Sequence, residues 1–245
     1  MIGLAIALSA GIGLSLGLLG GGGSILTLPI LVYVAGVDPK DAIAMSLVVV
    51  GVTSLLAVVP HARAGNVDVR TGLLFVATGV VGAFVGGRLS EQVAARTLLL
   101  TFAGVMVLAA LGMARPRPEP DPAAPPASVW KLLIVGLGVG AMSGLLGAGG
   151  GFLIVPALVL LARLPTKRAI GTSLLVIAAN SAAGFVGHAA HAHLDVWLTA
   201  AITGVAAIGS IVGSRIANRV RPEQLRWAFA GLVLAIAVVQ IAQEW

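Results

Sequence analysis

Hydrophobic residues run with little interruption over 2–35, 42–60, 71–87, 97–113, 130–162, 169–187, 196–214 and 225–242, and polar residues gather in the gaps. Several runs approach the roughly 20 residues that a helix needs to cross a bilayer. None has the alternation or turn rhythm of a barrel strand, so the pattern predicts helices throughout. The stretch 114–128, ARPRPEPDPAAPPAS, holds six of the twelve prolines and reads as a polar linker. The predicted fold class is therefore all-α, a polytopic integral membrane protein. Its parts are a membrane repeat over 1–113, a Pro-rich cytoplasmic linker over 114–129, and a second repeat over 130–245.

The two parts are copies. GLLGGGGSILTLP (17–29) and GLLGAGGGFLIVP (144–156) agree at eight of thirteen positions, at an offset of 127. The same offset pairs Lys40 with Lys167, His61 with His188, Asp68 with Asp195, Arg88 with Arg215, and Phe102-Ala103-Gly104 with Phe229-Ala230-Gly231. Register held for some ninety residues marks a duplication.

Runs 2–35 and 130–162 are too long for one ordinary span. About 33 helical residues would reach ~50 Å, against a hydrocarbon core of ~30 Å. Each run is broken by its glycine cluster, leaving either one long tilted helix or a U-shaped pair of short helices. Loop charge separates these. Single crossings make parallel repeats and place ten and five Lys/Arg on the two sides; re-entrant pairs make inverted repeats and place twelve against three. The sharper bias fits the positive-inside rule, so the predicted topology is inverted, each repeat being a re-entrant pair plus three transmembrane helices. The linker is then cytoplasmic and both termini lie outside.

Composition agrees with lipid as the solvent. Only 10% of residues are charged and 58% are hydrophobic, whereas a soluble surface needs roughly a quarter charged. The basic balance, net +6, lies in short loops and reads as membrane orientation, not nucleic-acid binding. The absence of cysteine removes disulfides and thiolate metal sites. The N-terminal segment lacks a basic n-region and is read as a retained first membrane segment.

Four features carry candidate chemistry. In the re-entrant arrangement short helices begin near Ser24 and Gly151, where unpaired N–H groups and about half a positive charge face outward. Glycines at Gly22, Gly23, Gly149, Gly150 and Gly151 let an anion reach the backbone, and two inverted copies would aim both ends at one midplane site. The plainer account is close helix packing. A polar stripe, Ser46, Thr53 and His61, recurs as Ser173, Asn180 and His188 with Thr172 adjacent; it could line the path or join helices. His61 and His188 stand near helix ends, where water contact is the simpler account and gating or proton coupling the functional one. His188, His191, His193 and Asp195 have the density of a metal site, but Ala64 and Asn66 replace His191 and His193 in the other repeat, so no metal is assigned. The GxxxGxR pairs at 82–88 and 209–215 suit close packing, with Arg88 and Arg215 at the water interface; a basic vestibule that concentrates anions is the functional alternative.

With GLLGxGGGxxxxP (144–156), GTSLL (171–175), a histidine closing the second span and the duplication, the chain resembles the TauE/SafE sulfite exporter family over essentially its whole length. The resemblance implies bacterial plasma-membrane transport of sulfite, sulfoacetate or another organosulfonate. The residues add that no carboxylate lies inside an apolar run, so an ordinary Asp/Glu proton relay is unsupported. The expected partners are a small anion and the bilayer, with a homodimer left open and no cofactor. An anion channel is the alternative, and an intramembrane metal-dependent enzyme a more distant one.

Overall fold

The computed structural model describes residues 2–90, 92–114, 128–146, 151–188 and 193–244. Most of the proline-rich linker, Gly149, Gly150 and His191 lie outside these. The described residues form ten helices and no strand. They are α1 (Ile2–Leu19), α2 (Gly22–Pro29), α3 (Pro39–Arg63), α4 (Val69–Ser90), α5 (Ala95–Ala114), α6 (Val129–Leu146), α7 (Gly151–Leu160), α8 (Thr166–His188), α9 (Val196–Ala217) and α10 (Pro222–Glu244). A π-helical turn over Ile30–Val34 follows α2. All but α2 and α7 are long and apolar enough to cross a membrane. The offset of 127 carries α1 onto α6 and each later helix of the first half onto its counterpart in the second.

Acidic residues start three of the long helices, α3, α4 and α9. Asp38 accepts from the Lys40 N–H at 2.9 Å, with Pro39 at the first helical position. Asp68 and Asp195, equivalent under the duplication, accept from the N–H groups of Thr71 and Leu198, both at 2.9 Å.

The first glycine cluster reverses the chain. Gly20 adopts a φ of +73°, a left-handed conformation that glycine enters freely, and it ends α1. A Cβ placed on Gly23 would land on the Ile12 carbonyl and the Leu16 side chain, so α2 runs back along α1. The U-shaped reading holds, with one difference: the first arm is not short. α1 has 18 residues, enough to span by itself, and only the return arm is brief. The reason is in the sequence, where the glycines sit midway through run 2–35.

Helix directions follow from the close contacts. α3 and α8 run antiparallel, with Leu47 beside Gly184, Gly51 beside Ser181 and His61 beside Gly171. α1 runs parallel to α9, with Gly13 on Ala206 and Gly17 on Ser210; α6 runs parallel to α4, with Gly136 on Phe75, Gly140 on Gly79 and Gly144 on Ala83. Equivalent helices thus point opposite ways, as inverted repeats require. Small residues permit these approaches, because lipid offers no hydrophobic drive for association and backbone packing must supply it.

The halves interlock. α1 of one half packs on α9 of the other, α6 on α4, and α5 pairs with α10 around the buried Phe102 and Phe229. α10 also covers α2, and α5 covers α7. That cover matters, since Pro29 and the π turn leave irregular backbone that must not face lipid. At one end Asn66 Nδ2 donates to Asn218 Oδ1 at 2.9 Å and Lys167 Nζ to the Asn218 carbonyl at 3.0 Å. At the other, the His193 N–H donates to Asp41 at 2.8 Å.

Candidate functional site

The two glycine motifs meet. A Cβ placed on Gly151, the first residue of α7, would lie 2.9 Å from the Gly21 Cα, 2.9 Å from Ser24 Oγ and 2.8 Å from Ile177 Cδ1. Ile177 stands eleven residues from either end of α8, so two helix starts from opposite halves converge at the middle of a spanning helix. Gly21 precedes α2 without a side-chain cap, and Ser24 Oγ donates back to the Gly21 carbonyl at 2.7 Å. The first-turn N–H groups of such a helix have no carbonyl of their own to bond and carry roughly half a positive charge. This arrangement can attract an anion without placing a cation in lipid.

Of the predicted glycines, Gly22 opens α2, Gly151 opens α7, and Gly149 and Gly150 lie outside the described residues. Gly23 is turned onto α1, so a side chain there would first break the reversal.

The polar stripe divides. A Cβ on Gly20 would lie 2.6 Å from Ser173 Oγ, which puts Ser173 at the reversal; its hydroxyl donates to the Ile170 carbonyl at 2.7 Å. Its equivalent, Ser46, donates to the Ile43 carbonyl at 2.8 Å, and Thr53 Oγ1 to the Val49 carbonyl at 2.6 Å. Thr172 is engaged elsewhere: its Oγ1 accepts the Asp68 N–H at 2.8 Å and ties α8 to the start of α4. Asn180, 1% exposed, turns its carboxamide toward Gly79 of α4, and neither Oδ1 nor Nδ2 has a partner.

Three serines missed by the sequence reading share that condition. Ser54, Ser143 and Ser181 are buried, and their hydroxyls have no hydrogen-bond partner. Ser54 and Ser181 are equivalents at offset 127, next to Thr53 and Asn180, and comparison of the halves could have found them. Ser143 matches Leu16 in the first half, so no repeat signal marks it.

The histidines are not at water. His61 is 1% exposed and its Nε2 lies 3.0 Å from the Gly17 carbonyl, while Nδ1 has no partner. His188 is 5% exposed, with Nε2 2.6 Å from Ser90 Oγ and Nδ1 2.9 Å from the Gly184 carbonyl. Water contact at helix ends does not describe them, because the packed ends of α1 and α4 cover the rings. Their settings also differ, since Ala217 stands where a copy of Ser90 would be.

Arg88 and Arg215 are exposed, and the Arg88 guanidinium lies 5.7 Å from the Phe84 ring centre. No group of three or more His, Cys, Asp or Glu able to hold a metal occurs among the described residues.

Residues 5–239 match the family profile described as sulfite exporter TauE/SafE. A probable membrane transporter protein of Xylella fastidiosa (strain Temecula1) is 37% identical over 242 residues, which cover 96% of this chain and 92% of that protein. The probable membrane transporter protein YunE of Bacillus subtilis is 30% identical over 234 residues, 85% of each chain. No solved structure gives a significant match.

Proposed function

The chain belongs to the sulfite exporter TauE/SafE family, and from that premise we propose that it exports a small sulfur-containing anion across the bacterial plasma membrane. Sulfite, sulfoacetate and other organosulfonates make up the substrate class. The binding site in this reading lies at the bilayer midplane, between the first turns of α2 and α7, with Ser173 and Asn180 from α8 beside it. Repeats 1–113 and 130–245 would then share one site, joined by the cytoplasmic linker 114–129.

The approach of Gly151 to Gly21 and Ser24 carries this reading. Two helix starts facing one point form a concentrated partial positive charge, and that needs an anion or water opposite it. The driving force is available without a coupling ion. An inside-negative potential moves a monovalent anion outward with about 2.3 kcal/mol per 100 mV.

Purified protein in liposomes tests the proposal. Sulfite or an organosulfonate should move with saturable kinetics and show counterflow when the opposite side is loaded. Single-channel current steps without counterflow would replace the carrier with the anion channel. No flux of any sulfur-containing anion would remove the substrate class.

A further inference from the structure

We infer that the site takes its substrate as a monoanion, held by the uncharged donors of Ser54, Ser143, Asn180 and Ser181, and discriminates against dianions. The inference rests on the transport reading above and narrows it to hydrogensulfite and singly charged sulfonates.

The four side chains belong to three helices: α3 and α6 each pack on α8, the helix whose Ile177 touches the start of α7. Ser181 packs at Gly51, one turn from Ser54 on α3. Asn180 faces Gly79, which α6 meets at Gly140, one turn before Ser143; Gly144, the next residue, lies beside Gly184 of α8. Asn180 itself is one turn along α8 from Ile177, the residue touching Gly151. All four are at most 1% exposed, and five of their polar atoms lack partners: three hydroxyl oxygens and both ends of the Asn180 carboxamide. A buried polar group without a partner is costly, and native structures satisfy such groups with protein, water or a ligand. Three hydroxyls and an NH₂ supply several donors, the complement that the oxygens of an –SO₃ group accept.

The charge balance sets the valence. Every Lys, Arg, Asp and Glu of the described helices lies within five residues of a helix end, so no full charge stands at this level. The available positive charge is the two helix starts, about +0.5 each, which together offset one negative charge. A second charge would be uncompensated, and desolvation cost grows with the square of the charge, so a dianion costs about four times as much to bury as a monoanion of equal size. Neutral hydroxyl and amide donors orient oxygens but do not make up that difference.

The test uses the purified full chain in proteoliposomes under an imposed potential, with methanesulfonate, sulfate and sulfite as probes. Methanesulfonate flux should exceed sulfate flux by at least about tenfold, the ratio that 1.4 kcal/mol produces. Sulfite flux should rise as pH falls and the hydrogensulfite fraction grows, while methanesulfonate flux, measured alongside to register titration of the protein, holds steady. Sulfate moving as fast as methanesulfonate, or sulfite flux tracking the dianion, would overturn the inference while leaving sulfur-anion transport standing. If none of the three moves, the transport reading falls and this one with it. The donors are tested separately. Asn180→Leu and Ser181→Ala should each weaken methanesulfonate affinity about tenfold or more, with Asn180→Gln recovering part of the loss. Unchanged affinity in folded Asn180→Leu protein would show that these groups hold only water.

Discussion

His61 closes the C-terminal end of α1: its Nε2 lies 3.0 Å from the Gly17 carbonyl, in the last turn before the chain reverses. That carbonyl is among the last four of the helix, which have no intrahelical donor. The neighbouring Leu16 carbonyl is taken by the Gly20 N–H at 2.8 Å, so the histidine supplies the next bond of the cap. Its duplicate, His188, bonds instead to Ser90 across α4 and α8. Sequence equivalence here did not preserve the contact.

A capping role gives a prediction that a proton relay does not. His61→Leu leaves the Gly17 carbonyl buried and unbonded and should lower stability by about 1–3 kcal/mol. His61→Gln keeps an N–H donor and should recover most of it. Thermal unfolding in detergent reads the stability, and transport by the Gln variant across pH reads the mechanism. A pH profile flattened by His61→Gln at normal stability would assign the ring to proton coupling instead.

Asn180→Leu should separate stability from function. Both ends of the carboxamide are buried without partners, so replacing it by an apolar group of similar volume should leave stability unchanged or raise it by about 1 kcal/mol. Anion transport should fall in the same protein. Ser173→Ala is the fitting companion, because a larger residue would strike Gly20. Parallel loss of stability and transport in both variants would mark these residues as helix-packing groups.

The parallel α4–α6 contact should tolerate no side chain at its centre. A Cβ on Gly140 would fall on the Gly79 backbone, and one on Gly82 on the Leu137 carbonyl. Gly140→Val should therefore destabilise the protein by about 1–3 kcal/mol or more, through overpacking against backbone that cannot yield. Gly138 and Gly104 have open space at the Cβ position, and Ala at either should change stability by less than about 0.5 kcal/mol. Unfolding temperatures of the three variants decide the point. Gly23→Val belongs with the first group, so it reports on the α1–α2 reversal before it reports on anion contact.

The absence of cysteine makes single-cysteine labelling a clean measure of sidedness. Ala64→Cys and Arg219→Cys, exposed at the end held together by Asn66, Lys167 and Asn218, should label from the cytoplasmic side, as should the linker. Lys40→Cys and His193→Cys, at the end joined by Asp41, should label from outside. Labelling of all four from one side would contradict the inverted arrangement.

Membrane residence, helical class and duplication were legible in the sequence because each rests on local physics. Lipid excludes charge from apolar runs, backbone in lipid must bond to itself, and a copied segment keeps its register. The inverted arrangement puts the loops of Asn66, Lys167 and Asn218 at one end, and hydrogen bonds join those three residues. The site was legible only in outline. Ser24 and Gly151 could be named as helix starts, but their meeting joins residues 127 apart and depends on how the helices of the two halves pack. The burial of His61 and the turning of Gly23 onto α1 were decided by the same fold, since hydropathy records that a segment is in lipid and not which of its faces meets protein. Ser143 shows the limit most plainly. Nothing around it in sequence distinguishes it from a serine that merely packs, and its unbonded hydroxyl exists only because α6 lies parallel to α4 and against α8.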